Sequence, residues 1–240
     1  MQDDFGAKDS GPKALRDYAL IADGERGALV GPHGEYAWMC FPVWDSPPAF
    51  AGLLGGPGAY VVQPGPGRWV WGGYYEDRGL IWHSRWVTGD GAILECREAL
   101  ARSAAPGRAV ILRRCRAVRG RSRVRALLDV RTGHGAPRMR DVRRDGPEWT
   151  ARGGGASLRW RGADEAVVRD GDGGGPVLDL AFDLDEGRPA TWSWRSPRAG
   201  AAARWTPRSC GRPPSGTGAR PCRTAATPSP RATPASPTPS

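Results

Sequence analysis

The strongest chemical signal in this sequence is a tryptophan beside a carboxylate on a loop bounded by prolines. Trp44 and Asp45 lie between Pro42 and Pro47-Pro48, and three prolines within seven residues exclude a continuing helix or a central strand. We therefore expect both side chains on a stiff loop, where an aromatic face next to a carboxylate suits sugar binding. The candidate substrate-binding residues are Trp38, Pro42, Trp44, Asp45 and Ser46.

A predicted β-hairpin leads into this loop. Two short apolar runs, Ala28 to Val30 and Tyr36 to Cys40, are separated by Gly31-Pro32-His33-Gly34. A Gly/Pro turn between two such runs is typical of a hairpin. The second strand of the hairpin would then end at the proline-bounded loop.

Other chemistries have little support in the sequence. His33, His83 and His134 are isolated, and the chain contains neither Cys-x-x-Cys nor His-x-x-x-His. We expect no metal site and no cofactor. The carboxylates nearest the aromatic segments are Asp23, Asp45, Glu76 and Asp77, and we interpret most of them as turn caps or solvated groups.

The interior of the sequence is patterned as strands. Val124, Ala126, Leu128 and Val130 alternate with polar residues, and residues 178–184 repeat the pattern. Further strands are predicted at 59–63, 68–75, 80–87, 92–98, 109–118, 148–152, 157–161 and 165–169, with helical turns only near 46–54 and 15–22. Many short strands separated by Gly/Pro turns predict a mostly β protein, an antiparallel β-sandwich.

Four of the eleven tryptophans fall on predicted strands at matching parity. Trp69 and Trp71 share one face, and Trp82 and Trp86 share another. Cross-strand aromatic pairs stabilise sheets, so we expect these rings to pack in the core. Exposed tryptophan platforms that bind carbohydrate are the alternative.

The last part of the chain has a different composition. No Leu, Ile or Val follows Leu184 and no acidic residue follows Glu186, whereas residues 187–240 hold nine Arg and eleven of the 23 Pro. This composition predicts a disordered tail, because it offers little apolar surface to offset the entropy of ordering. The abrupt change is also what a shifted reading frame in GC-rich DNA would encode. Without the tail, the charge of +10 falls almost to neutrality.

Three segments are thus predicted: a flexible start at 1–14, a β-sandwich domain at 15–186 and the tail at 187–240. No secretory signal or membrane span is recognised. The five cysteines are too few and too widely spaced for a disulfide framework, which favours a cytoplasmic protein.

The motifs resemble the N-terminal domain of bacterial glycoside hydrolase family 15 proteins, the glucoamylase-like and trehalase-like enzymes. The matching residues are Asp17 to Ile21, Asp23-Gly24, Ala28 to Gly31, Trp38 to Cys40, Pro42, Trp44 to Pro47, Phe50-Ala51 and Leu53 to Gly56. Val43 stands where the family usually has Arg, so it lacks the charge with which an Arg would bind a hydroxyl or a carboxylate. The resemblance covers roughly residues 15–186.

This resemblance implies a β-sandwich of the super-sandwich type that packs on a helical (α/α)₆ barrel. In the family the barrel carries the glutamates that hydrolyse O-glycosidic bonds with inversion, and no counterpart of them is recognised here. We therefore expect no catalytic residue in this chain and no turnover by the chain alone. The implied ligand is an α-glucan or a trehalose-type saccharide, and the implied packing partner is the barrel.

Two other functions stay open at this stage. The chain could be a standalone carbohydrate-binding module that uses Trp44 and the strand tryptophans. Alternatively, the basic tail could bind nucleic acid or an anionic surface through contacts that salt would screen. We do not favour nucleic-acid binding, because the predicted folded part is nearly neutral.

Overall fold

The computed structural model describes residues 13–102, 107–132, 138–153, 156–171 and 174–196, and its regular structure is almost entirely β. Two short 3₁₀ turns occur, at Leu15–Asp17 and Gly52–Leu54. The strands in chain order are β1 (Ala19–Ala22), β2 (Gly27–Val30), β3 (Tyr36–Cys40), β4 (Pro48–Phe50), β5 (Ala59–Pro64), β6 (Trp69–Tyr75), β7 (Trp82–Thr88), β8 (Ile93–Leu100), β9 (Val110–Arg119), β10 (Ser122–Asp129), β11 (Arg140–Asp145), β12 (Glu148–Gly153), β13 (Ala156–Arg161), β14 (Val167–Asp170), β15 (Pro176–Leu184) and β16 (Pro189–Arg195). Within these residues, no helix has the length and apolar character that crossing a membrane requires.

The strands form three antiparallel sheets. The N-terminal sheet has the order β1-β2-β3-β4, the middle sheet β14-β15-β10-β5, and the large sheet β11-β12-β13-β16-β9-β8-β7-β6. Aromatic contacts join the middle sheet to the large sheet: Tyr60 meets Trp160 at 6.2 Å and Phe182 meets Trp192 at 5.5 Å between ring centroids. The predicted antiparallel β-sandwich is confirmed.

The alternating segments form the strands that their pattern predicts. Residues 122–128 of β10 pair with residues 178–184 of β15, and the even-numbered apolar residues of β10 are fully buried. The hairpin of β2 and β3 also forms as predicted, with Gly31 to Gly34 in its turn. The alternating pattern and the Gly/Pro turn were enough to locate these elements, because in β10 the apolar residues at alternate positions all pack in the core.

The predicted start of the disordered tail at residue 187 is wrong. Strand β16, at 189–195, lies inside the large sheet between β13 and β9. Trp192 and Trp194 are each only 1 % exposed. Their two indole rings supply the buried apolar surface that was not expected in a segment without Leu, Ile or Val. Residues 197–240 lie outside the described part of the chain, as do residues 1–12.

Two other predictions need correction. The segments expected as helical turns contain strands: β1 follows the first 3₁₀ turn, and β4 precedes the second. Strand β11 was not predicted, because Arg140 to Asp145 carries five charged side chains in six residues. It pairs with β12 at the end of the large sheet, where most of its side chains are exposed.

A buried ion pair joins all three sheets. Arg113 on β9 lies 2.8 Å from the carboxylate of Glu98 on β8, and both side chains are fully buried. The guanidinium carbon lies 4.5 Å from the ring centroid of Tyr36 on β3 and 4.6 Å from that of Tyr60 on β5. Arg113 also donates hydrogen bonds to the carbonyls of Tyr60 and Gly34.

Glu98 has a second partner on the next strand. The Ser84 hydroxyl donates to Glu98 at 2.9 Å and accepts from the indole N–H of Trp82 at 2.9 Å. A charge taken out of water is tolerated only when its partners replace the lost hydration. The pair is therefore stable in this position only where the three sheets come together around it, even though it is not a source of net stability by itself.

We expect Arg113→Met to destabilise the protein by about 3–5 kcal/mol, because it leaves the Glu98 charge buried without its partner. Arg114→Met is the matched control: Arg114 is the next residue on β9 but is exposed, so its loss should cost no more than about 0.5 kcal/mol. Urea unfolding of both variants makes the comparison. Equal costs for the two substitutions would contradict this role of the pair.

Candidate binding surface on the N-terminal sheet

An apolar row crosses the outer face of the N-terminal sheet. Leu20 on β1 lies opposite Leu29 on β2, and Leu29 lies opposite Trp38 on β3. Leu20 is 38 % exposed, and Leu29 and Trp38 are half-buried. The row is therefore open to solvent on the face turned away from the core.

A bulge in β3 sends Trp38 outward. The register between β2 and β3 shifts between Leu29 and Val30, so that Ala37 is the extra residue between Tyr36 and Trp38. Tyr36 and Met39 both point into the core as a result, although an unbroken strand would place them on opposite faces. Trp38 lies between them and faces the other way.

Trp44 extends this row from the following loop. A Cβ built on Gly27 would lie 2.1 Å from Cη2 of Trp44 and 3.1 Å from Leu20, so the indole rests directly on the glycine backbone beside the leucine. The Trp44 amide donates to the Glu25 carbonyl at 3.2 Å. The side chain is 50 % exposed. We call Leu20, Leu29, Trp38 and Trp44 together the Trp44 surface.

The remaining candidate residues shape the loop rather than the apolar row. Ser46 closes a tight turn: its hydroxyl accepts the Val43 amide at 3.2 Å, and its own amide donates to the Val43 carbonyl at 3.1 Å. Asp45 is exposed at the tip, and Pro42 is half-buried, near Gly107. Trp44 and Asp45 thus lie on the exposed part of the loop, whereas Ser46 has a structural role. Sequence reasoning missed Leu20 and Leu29, whose outward row depends on strand pairing.

The strand tryptophans pack as expected. Trp82 and Trp86 are 8 % and 0 % exposed, and the half-buried Trp71 and Trp69 lean on them at 6.1 Å and 6.5 Å between ring centroids. The indole of Trp86 also donates to the Pro32 carbonyl at 3.1 Å. These rings belong mainly to the core, although Trp69 keeps part of its surface open.

The carboxylates singled out in the sequence are committed to turns or remain in solvent. Asp23 accepts the amides of Glu25 and Arg26 at 3.0 Å each and pairs with the buried Arg26 side chain at 3.2 Å, as a turn residue should. Asp77 is exposed in the turn between β6 and β7. Asp23 is thus committed to its turn, and Asp77 faces solvent.

Glu76 lies in a surface cluster at the edge of the large sheet. Its carboxylate accepts hydrogen bonds from Arg97, at 2.9 Å for the Nη2 donor, and lies 2.8 Å from Nε2 of His83. Hydrogen bonds lower the pKa of Glu76 to about 2, and the bond from Arg97 has a larger effect than the one from His83. The other ring nitrogen of His83 faces Glu95 at 3.1 Å, and Tyr74 stacks on the imidazole at 4.6 Å.

The carboxyls with raised pKa values lie inside. Burial raises the pKa of Glu98 and of Glu35, which folds back onto Gly31 and accepts the His33 amide at 2.8 Å. Both belong to the surroundings of Arg113, whereas Asp129, whose pKa is also raised by burial, pairs with Arg131 at 2.8 Å. Among the described residues, no three His, Cys, Asp or Glu side chains gather closely enough to hold a metal ion.

Two comparisons with known proteins bear on this arrangement. A family model described as trehalase-like, N-terminal, matches residues 8–171 of the 240-residue chain. No curated protein matches the chain. The matched range includes the whole Trp44 surface and the Arg113–Glu98 pair.

Glu76 should stabilise the protein in a pH-dependent way. The pKa of Glu76 in the folded protein is about 2, below the ordinary value of 4.5. The ionised carboxylate therefore adds to the free energy of unfolding fully above about pH 4.5, and this stabilisation is lost as the pH falls toward 2. Glu76→Gln should lower the urea midpoint at pH 6, and this difference from the wild type should vanish near pH 2. Asp77→Asn, at the next position, is the control, and it should change the urea midpoint at pH 6 by less, because the exposed Asp77 side chain forms no hydrogen bond or ion pair with the described residues. A Glu76→Gln effect that stayed constant across this range would refute the linkage.

Proposed function

Because the chain belongs to the family of trehalase-like N-terminal domains, we propose that it is a non-catalytic domain of a family 15 glycoside hydrolase, which docks on the catalytic barrel domain through the Trp44 surface. The observation that carries the docking is the continuous outward row of Leu20, Leu29 and Trp38, extended by Trp44. Contiguous exposed apolar surface of this kind typically marks a site of protein contact.

The ionisation states support a non-catalytic role. Inverting glycoside hydrolysis needs one protonated carboxyl and one carboxylate about 6.5–9.5 Å apart, flanking the scissile bond. Here the raised pKa values belong to buried carboxyls such as Glu98, whereas Glu76 has a lowered pKa and is held ionised at the surface. In this proposal the barrel supplies both catalytic groups, and this chain supplies binding surface.

The candidate residues would have different roles in such a hydrolase. Leu20, Leu29, Trp38 and one face of the Trp44 ring would be covered by the partner domain. The outer edge of Trp44 and the carboxylate of Asp45, at the exposed part of the loop, would lie at the edge of the substrate cleft and face an α-glucan or a trehalose-type saccharide. The cytoplasm stays our prediction for its location, from the cysteine spacing.

Docking can be measured by sedimentation velocity of the full chain mixed with a separately produced (α/α)₆ barrel domain of a family 15 enzyme. We expect a complex that Trp44→Ser weakens by about thirtyfold or more, as for an aromatic anchor worth about 2 kcal/mol. Gly27→Val should have a similar effect, because its side chain displaces the Trp44 ring without removing it.

Val168→Ser is the matched control. Val168 lies on β14 of the middle sheet and is 46 % exposed, close to the 50 % of Trp44, so its loss should change the affinity by less than about twofold. Undiminished binding by Trp44→Ser and Gly27→Val would exclude this surface. Hydrolysis of trehalose or maltotetraose by the pure chain alone would show that the non-catalytic assignment is wrong.

A further inference from the structure

A second open site lies at the other end of the β2–β3 hairpin. It is a cleft of about 750 Å³, bounded by the hairpin turn, the Pro64 to Gly67 loop and the adjoining ends of β6 and β7. Its lining side chains include His33, Gln63, Arg68, Trp69 and Thr88. The volume falls within the range of roughly 300–1,000 Å³ that is usual for small-molecule sites. We call it the Trp69 cleft.

The aromatic wall of the cleft is held in place. Trp69 meets His33 edge-to-face, with ring centroids 5.2 Å apart and planes at 74°, and it meets Trp86 in the same way at 6.5 Å and 83°. The indole N–H of Trp86 is itself fixed to the Pro32 carbonyl. A ligand that stacks on Trp69 would therefore meet a ring whose orientation is already set, which reduces the entropy lost on binding.

The backbone around the cleft is fixed at both sides. The Gly65 amide donates to the Arg123 carbonyl at 2.7 Å, and the Gly89 amide donates to the Arg68 carbonyl at 2.9 Å. Pro64 and Pro66 restrict the loop between β5 and β6 further, because each fixes its own φ. The cleft is thus formed before a ligand arrives.

Two polar side chains in the lining have no partner within the described part of the chain. The half-buried Gln63 amide and the exposed Arg68 guanidinium form no hydrogen bond or ion pair there. An amide offers both donors and an acceptor, and a guanidinium offers five donors. Together they could bind several hydroxyl groups beside the indole face.

The lining of the cleft carries little formal charge. Arg68 is the one Lys, Arg, Asp or Glu side chain in the lining. The other lining residues are apolar, polar without a formal charge, or glycine, apart from His33. A pyranose ring suits such a site, because its C–H face carries partial positive charge toward the electron-rich indole and its hydroxyls point to the rim. We propose that the Trp69 cleft binds a short neutral oligosaccharide. This site does not depend on docking through the Trp44 surface.

Isothermal titration of the full chain with maltotriose, trehalose and cellotriose tests the cleft. We expect saturable binding of at least one of these sugars, with an affinity that changes little between low and high salt because the ligand is uncharged. Trp69→Ala should abolish the binding. Gln63→Ala and Arg68→Ala should each weaken it by about fivefold to tenfold, as for the loss of one hydrogen bond.

Trp71→Ala is the matched control for Trp69→Ala. Trp71 lies two residues along β6 on the same face and is also half-buried, but it packs on Trp82 and does not line the cleft. Its substitution should leave the affinity within about twofold, with near-ultraviolet circular dichroism as the check that each variant is folded.

Three outcomes would overturn the proposal. One is the absence of saturable heat with all three sugars. Another is wild-type affinity in Gln63→Ala, Arg68→Ala and Trp69→Ala together, because Gln63→Ala and Arg68→Ala alter partly open positions that should not affect folding. The third is binding that Trp44→Ala removes and Trp69→Ala preserves, which would place the sugar on the Trp44 surface. None of these results bears on association with a barrel domain, so the two proposals can fail separately.

Discussion

The three sheets meet around one buried guanidinium. Arg113 extends from β9 of the large sheet, pairs with Glu98 on β8, and lies between the rings of Tyr36 and Tyr60, which come from the other two sheets. Each of these contacts compensates part of the hydration that the charge lost on burial. Because the partners come from different sheets, the guanidinium keeps all of these contacts only when all three sheets are in place. The pair thereby makes the assembly specific, in the sense in which some buried polar groups select one arrangement.

The same interaction positions both proposed sites through the β2–β3 hairpin. Arg113 donates to the carbonyl of Gly34, which lies in the hairpin turn at φ +68°, and its guanidinium stacks on Tyr36 at the start of β3. A Cβ at Gly34 would lie 1.8 Å from the Val62 carbonyl, so only glycine allows the turn to approach β5 so closely. Toward the turn, Pro32 and His33 bound the Trp69 cleft. Along β3, the bulge after Tyr36 turns Trp38 outward to the Trp44 surface.

How much of this could be predicted depends on whether the signal is local. The hairpin, the alternating strands and the proline-bounded loop follow from short-range patterns, and each was placed correctly from sequence. The inward position of Arg113 was also encoded, since Ile111, Cys115 and Ala117 share its parity on β9 and are all buried. The charge of Arg113 masked that signal. The outward row from Leu20 to Trp38 could not be predicted, because it depends on a register set by a bulge between separate strands.

The positions of the ionisable groups bear on whether the domain has a carboxyl suited to acid–base catalysis. Burial raises the pKa of Glu98 and Glu35, beside Arg113, and of Asp129, which pairs with Arg131. Glu76 at the edge of the sheet is made easier to ionise by Arg97 and His83. A general acid needs a raised pKa together with access to substrate, and these side chains separate the two properties. The surface instead offers aromatic rings on rigid backbone, Trp44 on Gly27 and Trp69 against His33. Rings held in this way contribute binding energy without proton transfer, which is what the proposed non-catalytic role requires.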